Sequence, residues 1–242
     1  MIRDSLRITI IVVIAFITMA AGATSLAAHT KGERLNLKRP LKVVCLGNSI
    51  TRHGYLPDVE WYSDWGMAAS KPENDYCHVL ERELQAYNKQ TSVHPLNIYA
   101  FEKNPTCDIN SLIGKTCAEA DIFILRICEN VSDIDAFEQN ISLLIEYSTN
   151  ITPHLIESGA FLPHEKKERI LVSAAERHAL EFVPLSWITY QSDVYPKKGD
   201  ILYDIDGKQY PITKEFIITH PNDKGMRAIA TALLRAIKQL AQ

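Results

Sequence analysis

Two segments far apart in the chain carry residues that could together transfer an acyl group. Ser49 follows the apolar run 43–46 and a glycine, so its hydroxyl lies just beyond a predicted buried strand. His220 lies immediately before a strongly helical C-terminal segment. A serine hydroxyl is a weak nucleophile and needs a base, and an imidazole with a pKa of about 6.5 can accept and return its proton. The pair is therefore a candidate for ester hydrolysis or acyl transfer.

The elements around these two residues predict an open α/β sheet. Apolar runs with strand character alternate with segments of helical spacing, which is typical of β-α-β units. The predicted strands are 41–46, 96–101, 121–127, 154–157 and 181–185, and the predicted helices are 76–88, 134–145, 165–179 and 223–240. We expect a three-layer α/β/α sandwich with a mostly parallel, flavodoxin-like sheet of about five strands. Such sheets bind ligands at the carboxyl ends of their strands, where Ser49 lies.

One segment departs from this alternation. Residues 200–213 contain an Asp206-Gly207 pair flanked by alternating residues, which is typical of a β-hairpin. The segment comes shortly before His220 in the chain. We therefore expect a hairpin near the site formed by Ser49 and His220.

The N-terminal segment has the composition of a secretory signal peptide. Arg3 and Arg7 precede an apolar stretch over 8–20, and small residues suited to cleavage follow. This stretch is shorter than the ~20 residues of a usual membrane-spanning helix, so cleavage is favoured over an uncleaved anchor. We predict a signal peptide over 1–28, one domain over 29–242, and a periplasmic or secreted protein without stable membrane insertion after cleavage.

Composition and charge narrow the function classes. The 242 residues have a net charge of −3 and no run of basic residues, so we expect no nucleic-acid partner. The five cysteines form no C-x-x-C pair, and we therefore predict no metal site and no other cofactor. Cys45 and Cys128 are expected to pack as small apolar groups, whereas a disulfide between Cys107 and Cys117 stays open. The oligomeric state is open as well.

Three motifs, in this order along the chain, resemble those of the SGNH (GDSL-like) hydrolase superfamily, including its secreted bacterial carbohydrate esterases. The motifs are Gly47-Asn48-Ser49-Ile50, Arg126-Ile127-Cys128-Glu129-Asn130, and His220-Pro221 with Gly225-Met226. The resemblance implies that Ser49 is the nucleophile and His220 the base. It also implies that the Asn130 side-chain amide donates to the oxyanion, together with the main-chain N–H of Ser49.

Several positions depart from the family pattern. Asn48 replaces the usual aspartate of the first motif, and Cys128 takes the place of a glycine in the second. The glycine that normally donates a main-chain N–H has no counterpart in 97–104, where Ala100 or Phe101 could donate instead.

The family's catalytic acid is also missing, because Ile217 stands three residues before His220. A main-chain carbonyl could orient the imidazole and make the site a Ser-His dyad. A displaced carboxylate is the alternative, with Asp223 preferred by local spacing. The other candidates for this role are Asp204, Asp206 and Glu215.

Several side chains near the motifs are candidates for substrate binding. Arg52, His53 and Arg126 could contact a polar or acidic substrate, and Trp61 and Trp65 could stack on a sugar ring. Core packing is equally open for the tryptophans. A solvated or structural role is equally open for the arginines and for His53.

Together these features predict an exported serine esterase that removes acyl groups, with acetyl the expected group, from a carbohydrate or a related small-molecule ester. Two other functions stay open. One is a carbohydrate O-acyltransferase that uses the same site. The other is a glycan-binding protein whose catalytic site has decayed, for which the missing acid and glycine are the evidence.

Overall fold

The structure is a computed structural model that describes residues 34–114 and 117–242, so the predicted signal peptide lies outside the described residues. Five strands form one sheet. They are β1 (Lys42–Gly47), β2 (Ser92–Asn97), β3 (Ile122–Arg126), β4 (Leu155–Ser158) and β5 (Glu181–Val183). Their order is β2-β1-β3-β4-β5, and every pair of neighbours is parallel. This is the flavodoxin-like order, and it confirms the predicted fold class.

Helices cover both faces of the sheet. They are α1 (Tyr76–Leu84), α2 (Tyr99–Lys103), α3 (Ile109–Ile113), α4 (Ile134–Thr149), α5 (Glu165–Arg177), α6 (Glu215–Ile218) and α7 (Asp223–Leu240). Short 3-10 turns occur at Pro57–Val59, Pro72–Asn74 and Ser186–Tyr190. Apolar residues of α1 and α7 join one core, and those of α4 and α5 join the core on the opposite face.

The side chains of β1 alternate between these two cores. Val43 and Cys45 lie in the core under α1 and α7, whereas Val44 and Leu46 lie in the core under α4 and α5. All four are fully buried. A strand covered on both faces needs apolar residues at every position, which explains the continuous apolar run that identified it in the sequence.

The prediction for the second strand was wrong. The strand is Ser92–Asn97, and the apolar residues that follow it begin α2. The Asn97 side-chain oxygen accepts the main-chain N–H of Tyr99 at 2.8 Å, which turns the chain out of the sheet. Since β2 is an edge strand, it tolerates Pro95 and several polar residues, and its hydrophobic signal in the sequence is weak.

The predicted hairpin is present as β6 (Ile201–Tyr203) and β7 (Gln209–Pro211), which pair antiparallel. Gly207 in its turn has φ of 79°, which glycine adopts easily. The hairpin packs on the segment that precedes α1: the Ser63 hydroxyl donates to Tyr203 O at 2.7 Å, and Tyr203 N–H donates to Ser70 O at 3.0 Å.

The five cysteines are free thiols, so the Cys107–Cys117 disulfide that the sequence left open is not formed in this structure. Cys45 and Cys128 are fully buried, as expected of small apolar groups. Over 34–114 and 117–242, no group of three or more His, Cys, Asp or Glu side chains is placed to hold a metal ion. In the same ranges no helix is long and apolar enough to cross a membrane.

Candidate active site

A sharp turn at the end of β1 presents Ser49. A side chain at Gly47 would place its Cβ 1.8 Å from Thr51 Oγ1 and 2.9 Å from Arg126 O, so only glycine fits there. The chain then makes a single helical turn in which Thr51 N–H donates to Asn48 O at 2.9 Å. This turn leaves Ser49 half-buried at the carboxyl end of the strand. The sheet order reverses between β1 and β3, which is where open α/β sheets bind ligands.

Ser49 and His220 meet although 171 residues separate them, with Ser49 Oγ 2.8 Å from His220 Nε2. His220 Nδ1 lies 3.0 Å from the main-chain oxygen of Phe216 in α6. A carbonyl oxygen only accepts hydrogen bonds, so Nδ1 carries the proton and Nε2 faces the serine as an acceptor. The backbone thus holds the tautomer that a general base needs.

Burial keeps the imidazole neutral. His220 is only 7% exposed, and this burial lowers its pKa to about 4, against the weaker opposing effects of the Phe216 carbonyl and the Glu129 carboxylate. A neutral imidazole is the form that accepts a proton. His220 is therefore in its basic form at neutral pH without any change of state.

Asp223 does not orient His220, which corrects the preferred expectation for the acid. Its carboxylate accepts hydrogen bonds from Ser70 N at 2.7 Å, from Ser70 Oγ at 2.6 Å and from Asn74 Nδ2 at 2.9 Å. The first turn of α7 thus directs this side chain to the segment before α1. Ile217 is fully buried in the core. A main-chain carbonyl lies behind His220, as the dyad alternative expects.

A buried polar network lies beneath the turn that carries Ser49. Asn48 Nδ2 donates to Glu102 Oε1 at 3.0 Å and to Glu129 Oε2 at 2.6 Å. Asn48 Oδ1 accepts from Arg126 Nη2 at 2.5 Å, and Arg126 Nη1 pairs with Glu129 Oε1 at 2.7 Å. Arg126 is fully buried, which corrects the expectation that it contacts substrate. It neutralises charge inside the protein instead.

The two glutamates of this network titrate in opposite directions. Burial raises the pKa of Glu102, and the nearby charge of Glu129 raises it further. Burial opposes ionisation of Glu129, but the Arg126 guanidinium, together with hydrogen bonds from the Asn48 amide and the Phe161 N–H, outweighs it and lowers the Glu129 pKa. Arg126 therefore compensates one carboxylate directly and leaves the other dependent on hydrogen bonds.

The loop after β3 carries the candidate oxyanion donor. Asn130 Nδ2 donates to Glu102 Oε2 at 2.7 Å, and Cys128 N–H donates to Glu102 Oε1. Cys128 has φ of 119°, a conformation that favours glycine, so the loop keeps the backbone shape of a glycine position although a cysteine occupies it. Of the expected main-chain donors, Phe101 N–H is engaged with Ile98 O at 2.8 Å.

Trp65 belongs to the core, which corrects the expectation that it stacks on a sugar. It is 5% exposed, its Nε1 donates to Ala69 O at 3.0 Å, and its ring meets that of Trp61 edge-on at 6.0 Å. Arg52 is exposed, three residues after Ser49, and its guanidinium lies 3.4 Å from an Asp64 carboxylate oxygen. Arg52 thus remains on the surface beside the turn that carries Ser49.

Two residues of the site were not foreseen from the sequence. Phe216 supplies the carbonyl behind His220, and its half-exposed ring lies 5.2 Å from the imidazole. Phe216 could have been predicted from its position four residues before His220, because a helical turn brings the carbonyl at that spacing close to the later residue. Glu102 had no comparable signal, since its partners Asn48 and Asn130 are 54 and 28 residues away.

No protein-family model matches this sequence. No curated protein matches it either.

Solved structures share the fold at low sequence identity. An α/β hydrolase enzyme from the metagenome of Lake Arreo, Spain, is 14% identical with a TM-score of 0.54, and the match covers 86% of this chain and 100% of that chain. The lipase/acylhydrolase from Enterococcus faecalis is 14% identical with a TM-score of 0.53, covering 82% and 96%. An acetyl xylan esterase, AlAXEase, is 15% identical with a TM-score of 0.52, covering 81% and 99%. The likeness shows that this chain shares the α/β fold of these structures.

Proposed function

We propose that the protein is an exported serine esterase that removes acyl groups, with acetyl the expected group, from a carbohydrate or a related ester. The observation that carries this proposal is the 2.8 Å contact between Ser49 Oγ and His220 Nε2. The main-chain oxygen of Phe216 behind the imidazole adds support, because it holds the basic tautomer. The similar structures include an acylhydrolase and an acetyl xylan esterase, which favours ester hydrolysis on this fold.

The proposed reaction uses the two side chains as one unit. The Ser49 proton moves to His220 Nε2 while Oγ forms a bond to the acyl carbon, whose carbonyl electrons move to its oxygen. When that intermediate collapses, the bond to the leaving alcohol breaks and Nε2 returns the proton to the departing oxygen. Water then attacks the acyl-enzyme through the same proton transfers, which releases the acid and restores the serine.

The oxyanion of each intermediate needs donors held in advance. We assign the main-chain N–H of Ser49 and the amide N–H of Asn130 that is not given to Glu102. An amide nitrogen carries two hydrogens, so the contact with Glu102 leaves one for the oxyanion. Loss of one such donor typically costs about 3–4 kcal/mol of barrier.

A carbohydrate substrate is supported by half-exposed aromatic side chains at this edge of the sheet. Phe216 packs beside His220, and Tyr99 begins α2 directly after β2. Both rings are about half-exposed and offer apolar faces on which a sugar ring can pack. Arg52, next to the turn that carries Ser49, is the proposed polar contact for the substrate.

Hydrolysis of an aryl acetate and of acetylated oligosaccharides by wild type, Ser49→Ala, His220→Ala and the double variant tests this function. We expect each single variant to lose turnover and the double variant to be no worse, because the two side chains act together. Ser92→Ala is a matched control, since Ser92 begins β2 and therefore lies at the amino ends of the strands, opposite the carboxyl ends where Ser49 lies.

Turnover by Ser49→Ala at the wild-type rate would refute the catalytic assignment. A folded wild type that is inert toward every acyl ester would favour the glycan-binding alternative. Transfer of the acyl group to an added sugar in preference to water would identify an acyltransferase.

Export is proposed from the composition of residues 1–28. We expect the mature N-terminus to lie between Thr24 and His29, which mass spectrometry of the protein recovered from periplasm or medium measures. A protein that retains Met1 in the membrane fraction would contradict cleavage.

A further inference from the structure

We infer that Glu102 is a positioning residue of this site: its carboxylate turns the amide of Asn130 so that an N–H faces the oxyanion. The same carboxylate fastens the loop after β3 to the turn that carries Ser49. The inference rests on the proposed function, because it assigns the oxyanion role to Asn130.

Glu102 lies fully buried among three hydrogen-bond donors. Its Oε1 accepts from Asn48 Nδ2 at 3.0 Å and from Cys128 N–H, and its Oε2 accepts from Asn130 Nδ2 at 2.7 Å. Asn48 immediately precedes Ser49, whereas Cys128 and Asn130 belong to the loop after β3. One carboxylate therefore joins both segments that supply oxyanion donors.

The sheet explains why a residue of α2 can do this. Gly47 at the end of β1 is in register with Asn97 at the end of β2 and with Arg126 at the end of β3. The segments that leave these three strands therefore start side by side at one edge. A side chain from the segment after β2 can reach the segments that follow both other strands.

A carboxylate is the group that selects the correct face of an asparagine. The Asn130 amide has a donor side and an acceptor side, and only its N–H groups can stabilise an oxyanion. Glu102 accepts all three of its hydrogen bonds, as an ionised carboxylate does, so it binds the nitrogen side of Asn130 and excludes the flipped amide. One N–H is then fixed on Glu102, and the direction of the second follows from the planarity of the amide.

The variant Glu102→Gln tests this with almost no change of shape. A glutamine oxygen turned to Asn48 and Cys128 would place its NH2 group against the NH2 of Asn130, so the Asn130 amide would have to flip. The substitution also removes a negative charge near the oxyanion, which by itself would favour the reaction. A fall in kcat would therefore not come from the changed charge at the oxyanion, since that change has the opposite sign.

The experiment is a double-mutant cycle on an aryl acetate with Glu102→Gln, Asn130→Ala and the double variant. We expect each single variant to lower kcat about 10²-fold with KM changed by less than about twofold, and the double variant to fall within about threefold of Asn130→Ala. Glu157→Gln is the matched control. Glu157 is equally buried, but it lies on β4, two strands from β1, and should leave kcat unchanged.

Wild-type kcat in Glu102→Gln would overturn the inference. The inference would also be overturned if the fold-losses in kcat of the two single variants multiplied in the double variant. Glu102 would then have a structural role independent of Asn130.

A second measurement does not need activity. The side-chain amide resonances of Asn130, assigned by their absence in Asn130→Ala, should shift in Glu102→Gln and stay in place in Glu157→Gln. An inert wild type would refute the proposed esterase, whereas an Asn130 amide insensitive to Glu102→Gln would refute the positioning role.

Discussion

The imidazole of His220 donates its Nδ1 proton to the main-chain oxygen of Phe216, which lies four residues earlier in the chain and 3.0 Å away. This neutral acceptor fixes the tautomer as a carboxylate would, but it stabilises the imidazolium of the reaction less. Replacing the aspartate of a complete triad costs about 10⁴ in kcat, largely through loss of the correct tautomer. Because the tautomer is retained here, we expect turnover that is modest and not abolished.

The first prediction concerns the pH dependence of catalysis. His220 must be neutral to accept the Ser49 proton, and burial lowers its pKa to about 4. We expect kcat/KM to stay level from neutral pH down to about pH 5 and to fall below about pH 4, as initial rates on an aryl acetate would show. An acid limb centred on the ordinary histidine pKa of about 6.5 would contradict this.

Folding must be followed in parallel because the same group affects stability. Between about pH 4 and pH 6.5 the unfolded chain binds a proton at His220 that the folded protein does not. The contribution of His220 to the free energy of unfolding therefore falls as the pH is lowered through that window. Circular dichroism at each pH separates loss of fold from protonation of the base.

The second prediction distinguishes Asp223 from a catalytic acid. Asp223→Asn should leave kcat within about twofold and lower the free energy of unfolding by about 1–2 kcal/mol, because it weakens charge-assisted hydrogen bonds to Ser70 and Asn74. Thermal unfolding and steady-state kinetics measure the two effects. A loss of kcat as large as that of His220→Ala, in a folded variant, would instead reveal a displaced triad acid.

The third prediction concerns the glycine-like backbone of Cys128. Cys128→Gly and Cys128→Ala both remove the thiol, but alanine keeps the Cβ at φ of 119°. We expect the glycine variant to be more stable than the alanine variant by about 1 kcal/mol, measured by denaturant unfolding. Cys45 in β1 is the control, since there the alanine variant should be the more stable one. An alanine variant that is more stable than the glycine variant at both positions would show that the Cys128 backbone is unstrained.

The fourth prediction concerns the asparagine that precedes Ser49. Asn48 donates to both Glu102 and Glu129, so Asn48→Asp would replace a donor with a third buried carboxyl group. We expect the free energy of unfolding to fall by about 3 kcal/mol at pH 7.

The charges around position 48 determine how the destabilisation by Asn48→Asp changes with pH. Arg126 would lower the pKa of the new carboxyl group, but it is already paired with Glu129, and we expect burial and the two glutamates to outweigh it and raise that pKa in the folded state. The loss should therefore shrink toward about pH 5 as the group takes up a proton. Asn48→Ala removes the donor without adding charge and should depend less on pH. Equal stability of Asn48→Asp and wild type at pH 7 would contradict the network.

Local pattern in the sequence predicted most of the fold, but it failed at the edge strand. The continuous apolar runs of β1 and β3 identified strands buried on both faces, because such strands need apolar side chains at every position. Only one side of β2 pairs within the sheet, so the polar residues of Ser92–Asn97 were permitted there. The stronger apolar signal after it comes from the start of α2, where Ile98 and Phe101 are buried and Tyr99 is half-exposed.

By itself the sequence determined the turn with Ser49 after a buried strand, the histidine before α7, and the alternation of strands and helices that brings such ends to one edge. These features depend on neighbouring residues and on hydrophobic periodicity, which a single sequence displays. Only the tertiary structure decided that the Phe216 carbonyl orients His220, that Trp65 and Arg126 are buried, and that Glu102 holds Asn130. Packing in three dimensions decides where a side chain points and which distant residues it contacts. Local periodicity in the sequence carries no information on either.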